Sequence, residues 1–339
     1  MADLLVRTQP AYTVYIREGL DDLGTVAARL PGAKLAVVMD EHVAALYAGA
    51  PAVAFAGKEL LPIVLPAGED TKSAPYYLRI LNELAHHAFT RDDAVVAFGG
   101  GVIGDLAAFA ASTYMRGIHL LSLPTSLLAM VDSAVGGKTA INLDCGKNLC
   151  GTFYQPDAVY VCTAFLATLP PRERMCGWGE ILKYALLSDT ITEDDLRGDV
   201  TPTLIEKCLS IKADIVAADE REKGLRKLLN LGHTFGHAVE RLSGFALSHG
   251  ECVAKGLAVI IEVSRRYYDA DAARYQAAMD KLASRGHDLT TGYDADTLMG
   301  PIVSDKKGHG DSIDVVLLTP ELRPAVVRMT YETLRGLMP

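Results

Sequence analysis

The sequence predicts an α/β nucleotide-binding domain with a parallel sheet, followed by a mainly α-helical domain. Short β-branched runs alternate with helical patterns through the first half of the chain, which is typical of a parallel sheet covered by helices on both faces. From about Phe165 the pattern changes to long helical periodicity. A chain of 339 residues also exceeds one ordinary core. We therefore expect one domain over residues 1–164 and a second over 165–339.

The expected elements follow the apolar periodicity in chain order. The strands of the first domain are expected at Lys34–Met39, Leu60–Leu65, Ala94–Phe98, His119–Leu123 and Ala158–Val161. Its helices are expected at Leu20–Leu30, Thr71–Ala88 and Asp105–Ser112. The helices of the second domain are expected at Arg172–Leu187, Thr201–Asp219, Lys227–Leu242 and His249–Tyr268. A late strand pair is expected at Ser312–Leu318 and Ala325–Thr330.

Composition and charge exclude several classes of protein. The chain carries 33 basic against 42 acidic residues, a formal charge of −9, which disfavours a nucleic-acid or membrane-surface partner. The N-terminal segment lacks the basic and apolar regions of a signal peptide, and no apolar run reaches the length of a membrane span. The six cysteines form no Cys-x-x-Cys pair, which indicates reduced thiols in a cytoplasmic protein. Any anion-binding site must therefore be a local basic cluster.

A glycine-rich segment follows a buried strand of the first domain and opens the next helix. Gly99, Gly101 and Gly104 satisfy the G-x-G-x-x-G spacing, in which backbone N–H groups approach a pyrophosphate at a helix N-terminus. The segment follows a late strand, and the usual acidic residue that holds a ribose is missing after it. Asp40, at the end of an earlier strand, offers such a carboxylate. From these residues alone, a cofactor loop and an ordinary tight turn both remain open.

Other polar loops follow the expected strands, at the edge where open α/β folds bind ligands. A Gly-Gly-Lys-Thr segment containing Lys138 offers backbone amides and an ammonium group, but it lacks the four-residue spacer of a P-loop. Lys147 and Asn148, in a Gly-Lys-Asn segment, and Arg116, before a glycine, add further donors. A single charged loop is commonly just solvated, so only the combination of these loops indicates phosphate binding.

Three histidines lie within seventeen residues, at positions flanked by glycine. Spacing alone favours a metal-binding pair of His233 and His237 and leaves His249 open, with a solvated helix face or core histidines as the alternative. Upstream, Glu180 and Lys183 are three residues apart, on one face of a helix. Two imidazoles and one carboxylate with an open fourth position make a catalytic zinc site. A threonine follows the first histidine where a metalloprotease helix has glutamate, which excludes that class.

Taken in order, these motifs resemble the 3-dehydroquinate synthase family of sugar-phosphate cyclases. The match runs from about Asp40 to Val327 and is nearly continuous from Gly99 to Gly256, where it includes Gly-Lys-Asn, Phe-Tyr-Gln-Pro, Leu-Pro-Pro-Arg-Glu and Ala-Ala-Asp-Glu-Arg-Glu. The resemblance implies an NAD-binding α/β domain, a mostly helical domain, and a homodimer with one zinc ion per subunit, for which Co²⁺ can substitute. It also implies a lyase that converts 3-deoxy-D-arabino-heptulosonate 7-phosphate to 3-dehydroquinate and phosphate, with NAD reduced and reoxidised within one cycle.

The resemblance assigns residues to roles. It implies that zinc is held by Glu180, His233 and His249, in place of the pair that spacing favours. The residues implied for NAD are Asp40, Glu69, Lys72, Gly99, Gly100, Gly101, Val102, Asp105, Thr125, Ser126, Lys138, Lys147, Thr163, Phe165 and Leu169. The residues implied for the substrate are Asp132, Lys138, Asn148, Lys183, Lys212, Arg226, Asn230, His237 and either Lys306 (favoured) or Lys307. Arg116 is implied to reach the substrate of the neighbouring subunit. One departure is His42, where several relatives have a smaller polar residue at an adenosine contact.

Three other functions compete with this one. A cyclase for an uncarboxylated sugar phosphate, such as 2-epi-5-epi-valiolone synthase or 2-deoxy-scyllo-inosose synthase, would leave Lys212 and Arg226, the pair implied for the substrate carboxylate, without an anionic partner. A metal-dependent alcohol or glycerol dehydrogenase has a similar two-domain plan but needs no phosphate donors at Lys138, Asn148 and His237. An inactive metal- or nucleotide-binding regulator is disfavoured because every expected functional position is filled. The sequence therefore favours 3-dehydroquinate synthase activity.

Overall fold

The computed structural model describes residues 2–305 and 310–339, apart from the side chain of Asp305. The chain divides into two compact units. The first comprises Met1–Leu169 together with Thr201–Ala217, and the second comprises Pro170–Val200 together with Ala218–Pro339. The division of the sequence into domains at residue 164 stays a prediction. Within the described ranges, no helix is both long enough and apolar enough to cross a membrane.

The first unit is built on a seven-stranded sheet with the order β1-β2-β9-β6-β5-β3-β4. The strands of the whole chain are β1 (Ala2–Val6), β2 (Tyr12–Arg17), β3 (Lys34–Asp40), β4 (Glu59–Leu65), β5 (Ala94–Gly99), β6 (His119–Pro124), β7 (Lys138–Leu143), β8 (Gly146–Phe153), β9 (Ala158–Cys162), β10 (Ser312–Leu318) and β11 (Pro324–Thr330). Neighbours in the sheet are parallel except β1 and β2 at one edge. Strands β5 and β9 are buried along their whole length, as expected where both faces are covered. The predicted α/β fold with a parallel sheet is confirmed.

Helices surround this sheet and make up most of the second unit. They are α1 (Leu23–Ala27), α2 (Glu41–Tyr47), α3 (Ala50–Ala54), α4 (Ala74–His86), α5 (Gly101–Thr113), α6 (Pro171–Leu187), α7 (Glu193–Arg197), α8 (Pro202–Ala218), α9 (His233–Leu242), α10 (His249–Tyr267), α11 (Ala272–Ala283), α12 (Ala295–Asp305) and α13 (Tyr331–Leu337). In the second unit α10 packs against α6, α9 and α11, and the antiparallel pair β10–β11 packs near it. The predicted helical second half with one late strand pair is confirmed.

The structure corrects two helix predictions. The helix expected over Lys227–Leu242 is instead a 3-10 segment, Leu225–Asn230, followed by α9. Gly232 separates them with a positive φ of 79°, and a Cβ there would lie 2.7 Å from the Leu257 side chain. Helix α5 begins at Gly101 rather than at Asp105, so the glycine segment itself forms the first turn. The strands β1 and β2 and the hairpin β7–β8 were not predicted.

Helices α6 and α10 cross with their backbones in close contact. A Cβ on Gly179 would lie 2.2 Å from the carbonyl oxygen of Gly250, and a Cβ on Gly250 would lie 1.8 Å from that of Cys176. These distances are far below van der Waals contact, and the obstructing atoms are main-chain atoms that cannot change rotamer. Only glycine fits at this crossing.

We expect a Gly250→Ala substitution to destabilise the protein, because the added methyl group forces the two helices apart. Overpacking of this kind costs about 1–3 kcal/mol or more. Urea unfolding should show a lower midpoint with an unchanged slope. Gly336→Ala is the matched control, since nothing lies within 4 Å of a Cβ at that helical position. An equal stability of both variants and the wild type would contradict the close crossing.

Candidate active site

Three potential metal ligands converge in the second unit, each presented by a different helix. Glu180 lies on α6, His233 is the first residue of α9, and His249 is the first residue of α10. Their ligand atoms lie within 4.8 Å of one another. The Oε1 atom of Glu180 is 3.2 Å from Nε2 of His249 and 3.4 Å from Nε2 of His233. The structure thus brings together the three residues that the resemblance assigns to zinc.

The carboxylate of this cluster is fully buried and charged. Glu180 has no exposed surface, and its Oε2 atom pairs with the ammonium of Lys183, one helical turn away on α6. Burial alone would raise the pKa of Glu180, but the charges of Lys183 and His233 outweigh it and hold that pKa well below its usual range. The two carboxylate oxygens of Glu180 therefore have different partners, because Oε2 faces the ammonium group and Oε1 faces the two imidazoles.

His237 lies beside the cluster, one turn after His233 on α9. Its ring centroid is 5.4 Å from that of His233 and 5.9 Å from that of His249. Desolvation within the cluster, followed by the charges of the other two histidines, lowers the pKa of His237. Burial alone would lower the pKa of His249, but the Glu180 and Glu240 carboxylates outweigh it and raise that pKa to about 9. Glu240, whose Oε2 atom lies 3.7 Å from Nδ1 of His249, was not identified from the sequence.

A large cleft in the second unit opens onto His233 and His237. It has a volume of about 740 Å³, and His233, His237 and Asn230 are among its lining residues. The Asn230 amide donates to Glu222 at 2.7 Å, and Glu222 also lines the cleft. Sequence reasoning missed Glu222, although it lies in the Ala-Ala-Asp-Glu-Arg-Glu segment that carries part of the resemblance. The cleft combines amide, imidazole and carboxylate groups, which suits a polar ligand.

Arg226 is positioned by the loop that precedes Asn230. Only 2% of its surface is exposed, and its Nη1 atom donates to the carbonyl oxygen of Glu220 at 2.5 Å. The Asp219 carboxylate accepts hydrogen bonds from the backbone N–H groups of Lys223, Gly224 and Arg226, which shapes the turn between α8 and the 3-10 segment. The guanidinium is thus buried and is held in place by a main-chain carbonyl oxygen.

In the first unit, the glycine segment lines a small cleft of about 30 Å³. Gly99 ends β5, and Gly100 is the residue before α5, so the amides at the start of α5 face the end of the sheet. Lys138 and Asp105 line the same cleft. A Cβ on Gly100 would lie 3.3 Å from Oγ of Ser126, which shows how closely the neighbouring loop approaches. This is the geometry of a phosphate or dinucleotide site at a helix N-terminus.

Lys72 connects two of the sequence-predicted groups. Its Nζ atom, in a side chain that is almost fully buried, lies 2.5 Å from Oδ2 of Asp105 and 2.5 Å from Oδ1 of Asn148. Burial raises the pKa of Asp105, and the nearby Lys72 ammonium only partly offsets that effect. Asn148 has a positive φ of 58°, and its backbone N–H donates to Asn142. The structure thus places a residue implied for NAD next to one implied for the substrate phosphate.

A second ion pair of the first unit joins Asp132 and Lys212. The Lys212 Nζ atom lies 2.6 Å from Oδ1 of Asp132 and also donates to the backbone carbonyl oxygen of Asp132 at 2.8 Å. Lys212 is 7% exposed, whereas Asp132 is partly open to solvent. The two residues were both predicted to contact the substrate, and they fix each other's position within this unit.

The remaining predicted residues occupy loops and element ends of the first unit. Asp40 caps α2 through a hydrogen bond from the Val43 backbone, and His42 is exposed in the first turn of that helix. Phe165 is buried against Tyr47, with ring centroids 4.9 Å apart. Gly101 and Val102 are the first two residues of α5. The other predicted residues of this unit lie in strands, loops or 3-10 segments, namely Glu69, Thr125, Lys147, Thr163, Leu169 and Arg116. Lys306 and Lys307 lie outside the described residues.

The donor sets of the two units fit two different groups. Two imidazoles, a buried carboxylate and an open direction toward the cleft match the ligand set of a catalytic divalent metal. A glycine segment at the end of a parallel strand matches a dinucleotide pyrophosphate. An α/β unit and a helical unit with these donor sets define the dehydroquinate synthase-like fold class.

Comparison with known proteins identifies the family within this class. The N-terminal family model of 3-dehydroquinate synthase matches residues 62–176, and the C-terminal model matches residues 177–308. A 3-dehydroquinate synthase from Agrobacterium fabrum is 42% identical over 91% of this chain and 87% of its own length. One from Sinorhizobium medicae is 43% identical over the same shares. The chain belongs to the 3-dehydroquinate synthase family.

Solved structures of related enzymes share the fold. A 2-deoxy-scyllo-inosose synthase, in complex with carbaglucose-6-phosphate, NAD⁺ and Co²⁺, superposes with a TM-score of 0.88 at 25% identity, covering 99% of each chain. A glycerol dehydrogenase from Schizosaccharomyces pombe superposes with a TM-score of 0.65 at 14% identity, covering 96% of this chain and 87% of its own. The second likeness concerns the fold alone.

Proposed function

We propose that this protein is a 3-dehydroquinate synthase, which converts 3-deoxy-D-arabino-heptulosonate 7-phosphate to 3-dehydroquinate and inorganic phosphate. The observation that carries the proposal is the identity of 42–43% over nine tenths of the chain to 3-dehydroquinate synthases. The reaction belongs to the shikimate pathway of aromatic amino acid biosynthesis. No net oxidation of the substrate occurs, so the enzyme is a lyase.

The proposed cofactors are NAD and zinc, with Co²⁺ as a substitute. Bound NAD would supply a reversible hydride acceptor, and the divalent ion would supply Lewis-acid polarisation of a substrate oxygen. Glu180, His233 and His249 would hold the ion through one oxygen and two imidazole nitrogens. Lys183 would keep Glu180 ionised and oriented by holding its other oxygen. Support for NAD comes from the glycine segment and from NAD⁺ in the related synthase structure.

The residues of the first unit would bind and orient NAD and the substrate. The amides of the Gly99–Asp105 segment would hold the NAD pyrophosphate, and Asp40 would accept ribose hydroxyl hydrogens with the carboxylate oxygen that α2 does not use. Lys138 and Asn148 would hold the substrate phosphate. The Lys212 ammonium, kept in place by Asp132, would pair with the substrate carboxylate.

The residues of the second unit would bind the charged groups of the substrate and handle protons. Asn230 and His237 line the cleft beside the metal donors and would donate hydrogen bonds to the phosphate. Arg226 would offer two parallel N–H groups to the carboxylate, a geometry that only a guanidinium provides. Because these groups are fixed before substrate binds, much of the rate enhancement would come from positioning and electrostatics.

Assays of phosphate release would test the proposed activity. We expect release from the heptulosonate phosphate to exceed that from sedoheptulose 7-phosphate by about a hundredfold or more in kcat/KM, because the second sugar leaves a buried guanidinium unpaired. NAD should be necessary, while NADH should not accumulate. A preference for the uncarboxylated sugar would instead indicate one of the other cyclases, and steady NADH accumulation would indicate a dehydrogenase.

The proposal includes a homodimer in the cytoplasm, in which Arg116 reaches the substrate of the partner subunit. Arg116 is exposed and has a positive φ of 71°. The nearby hairpin β7–β8 exposes 61% of Leu149 and 44% of Phe153, which supports contact with another chain. All six cysteines are described, and none of them forms a disulfide, which supports a reducing compartment.

A further inference from the structure

We propose that Glu240 is a positioning residue of the metal site, which anchors the outer nitrogen of His249 so that the inner nitrogen faces the ion. The inference rests on the proposed metal site and adds a residue to it. In the structure, Nε2 of His249 points to Glu180 at 3.2 Å, and Nδ1 points to Glu240 at 3.7 Å. Each ring nitrogen of His249 therefore faces its own carboxylate.

The same arrangement holds for the other histidine of the cluster. Nε2 of His233 faces Glu180 at 3.4 Å, whereas its Nδ1 lies 3.2 Å from the carbonyl oxygen of Leu231. That carbonyl belongs to the turn at Gly232, whose left-handed backbone only glycine adopts easily. Both histidines thus direct Nε2 inward and Nδ1 toward an acceptor, within hydrogen-bond distance for His233 and at 3.7 Å for His249. Metal-binding histidines are commonly fixed in this way, because the outer acceptor selects the tautomer and makes the inner nitrogen a stronger ligand.

The position of Glu240 follows from helical spacing. It lies three residues after His237 and seven after His233, so all three side chains are on one face of α9. Helix α10 brings its first residue, His249, to this face. The Glu240 side chain is 14% exposed, which strengthens its interaction with an imidazole N–H group relative to a solvated pair.

A second metal ion is the competing interpretation, because His237, Glu240 and His249 also have potential ligand atoms within 4.8 Å of one another. The two interpretations differ in whether Nδ1 of His249 carries a hydrogen or binds an ion. A neutral imidazole has one nitrogen that binds a metal and one N–H group that donates. With an ion bound to Nε2 of His249 in the Glu180 cluster, Nδ1 would carry the hydrogen, and Glu240 would accept that hydrogen rather than bind another ion.

Zinc affinity of the purified full-length protein tests the inference. The affinity would be measured by competition with a chelator for wild type, Glu240→Ala and Glu240→Gln, together with the number of ions bound per chain. We expect Glu240→Ala to weaken zinc binding by about 10–100-fold. Glu240→Gln keeps an acceptor but loses the charge, so we expect a smaller weakening of about threefold or more. Glu262→Ala is the matched control, since Glu262 pairs with Arg265 and Arg266 on α10, and its zinc affinity should equal that of wild type.

Two results would overturn the inference. One is a wild-type zinc affinity in Glu240→Ala, or in Glu240→Gln should the alanine variant not fold. The other is two bound ions in wild type and one in the variants. The assay also separates this inference from the proposed function. If the wild type turns over the heptulosonate and the Glu240 variants bind zinc normally, the proposed function stands and only the role of Glu240 is refuted. Wild type that binds zinc without synthase activity refutes the function, and the affinity comparison still decides the role of Glu240.

Discussion

A His249→Ala variant is expected to lose its metal and its activity together. Only Glu180 and His233 would remain, and two ligands cannot hold a catalytic zinc ion. The metal content after desalting should fall from about one ion per chain to nearly none. Phosphate release should fall to the level of metal-free wild type. Elemental analysis and the phosphate assay on the same preparation measure both quantities.

His237→Ala provides the comparison for this experiment. His237 lies beside the cluster but outside the Glu180 set, so its removal should leave the metal content near wild type while turnover is lost. The two variants remove the same chemical group from positions whose ring centroids are 5.9 Å apart. Equal depletion of metal in both variants would show that the ligand assignment is wrong.

The second large effect is expected for Arg226→Ala acting on the carboxylated substrate. A charge-assisted bidentate contact contributes about 1.5–3 kcal/mol, and each 1.4 kcal/mol is a factor of ten in rate. We therefore expect kcat/KM on the heptulosonate phosphate to fall at least about tenfold. Arg226→Lys should be intermediate, because it keeps the charge and loses the planar pair of donors.

Metal content and NAD affinity should not change in Arg226→Ala, since the guanidinium is not part of either donor set. Arg335→Ala is the control, because Arg335 forms an exposed ion pair with Asp296 and such pairs contribute little. Wild-type kinetics in Arg226→Ala would remove the main structural reason for preferring a carboxylated substrate over an uncarboxylated one.

Much of the fold was predictable because its strands are buried on both faces. Runs such as Ala94–Gly99 and Ala158–Cys162 are almost entirely apolar, which distinguishes them from helices and loops. The hairpin β7–β8 was missed because its second strand, Gly146–Phe153, mixes glycine, lysine and asparagine and is largely exposed. Such a strand depends on pairing with β7 and has no apolar alternation of its own.

The set of potential metal ligands could also be predicted only in part from the residues themselves. Spacing along α9 suggests His233 with His237, because residues four apart share a helix face. The ligand atoms that lie together in the structure belong instead to Glu180, His233 and His249, from three helices. Only the resemblance to a family indicated this set from sequence. Glu240 was missed because a partner for an outer histidine nitrogen has no fixed sequence distance from its histidine.

Close glycine crossings join the three helices that carry the potential metal ligands. Helix α10 meets α6 at Gly179 and Gly250, and it meets α9 at Gly256, where a Cβ would lie 2.1 Å from the carbonyl oxygen of Gly232. The spacing of the three donor helices is thus set by main chain resting on main chain, and not by the sizes of the side chains between them. We therefore expect substitutions of apolar side chains away from these crossings to move the three donor residues less than substitutions of the glycines. The glycines themselves cannot be replaced without moving the helices, and in a protein engineered for another metal they would be the residues to keep.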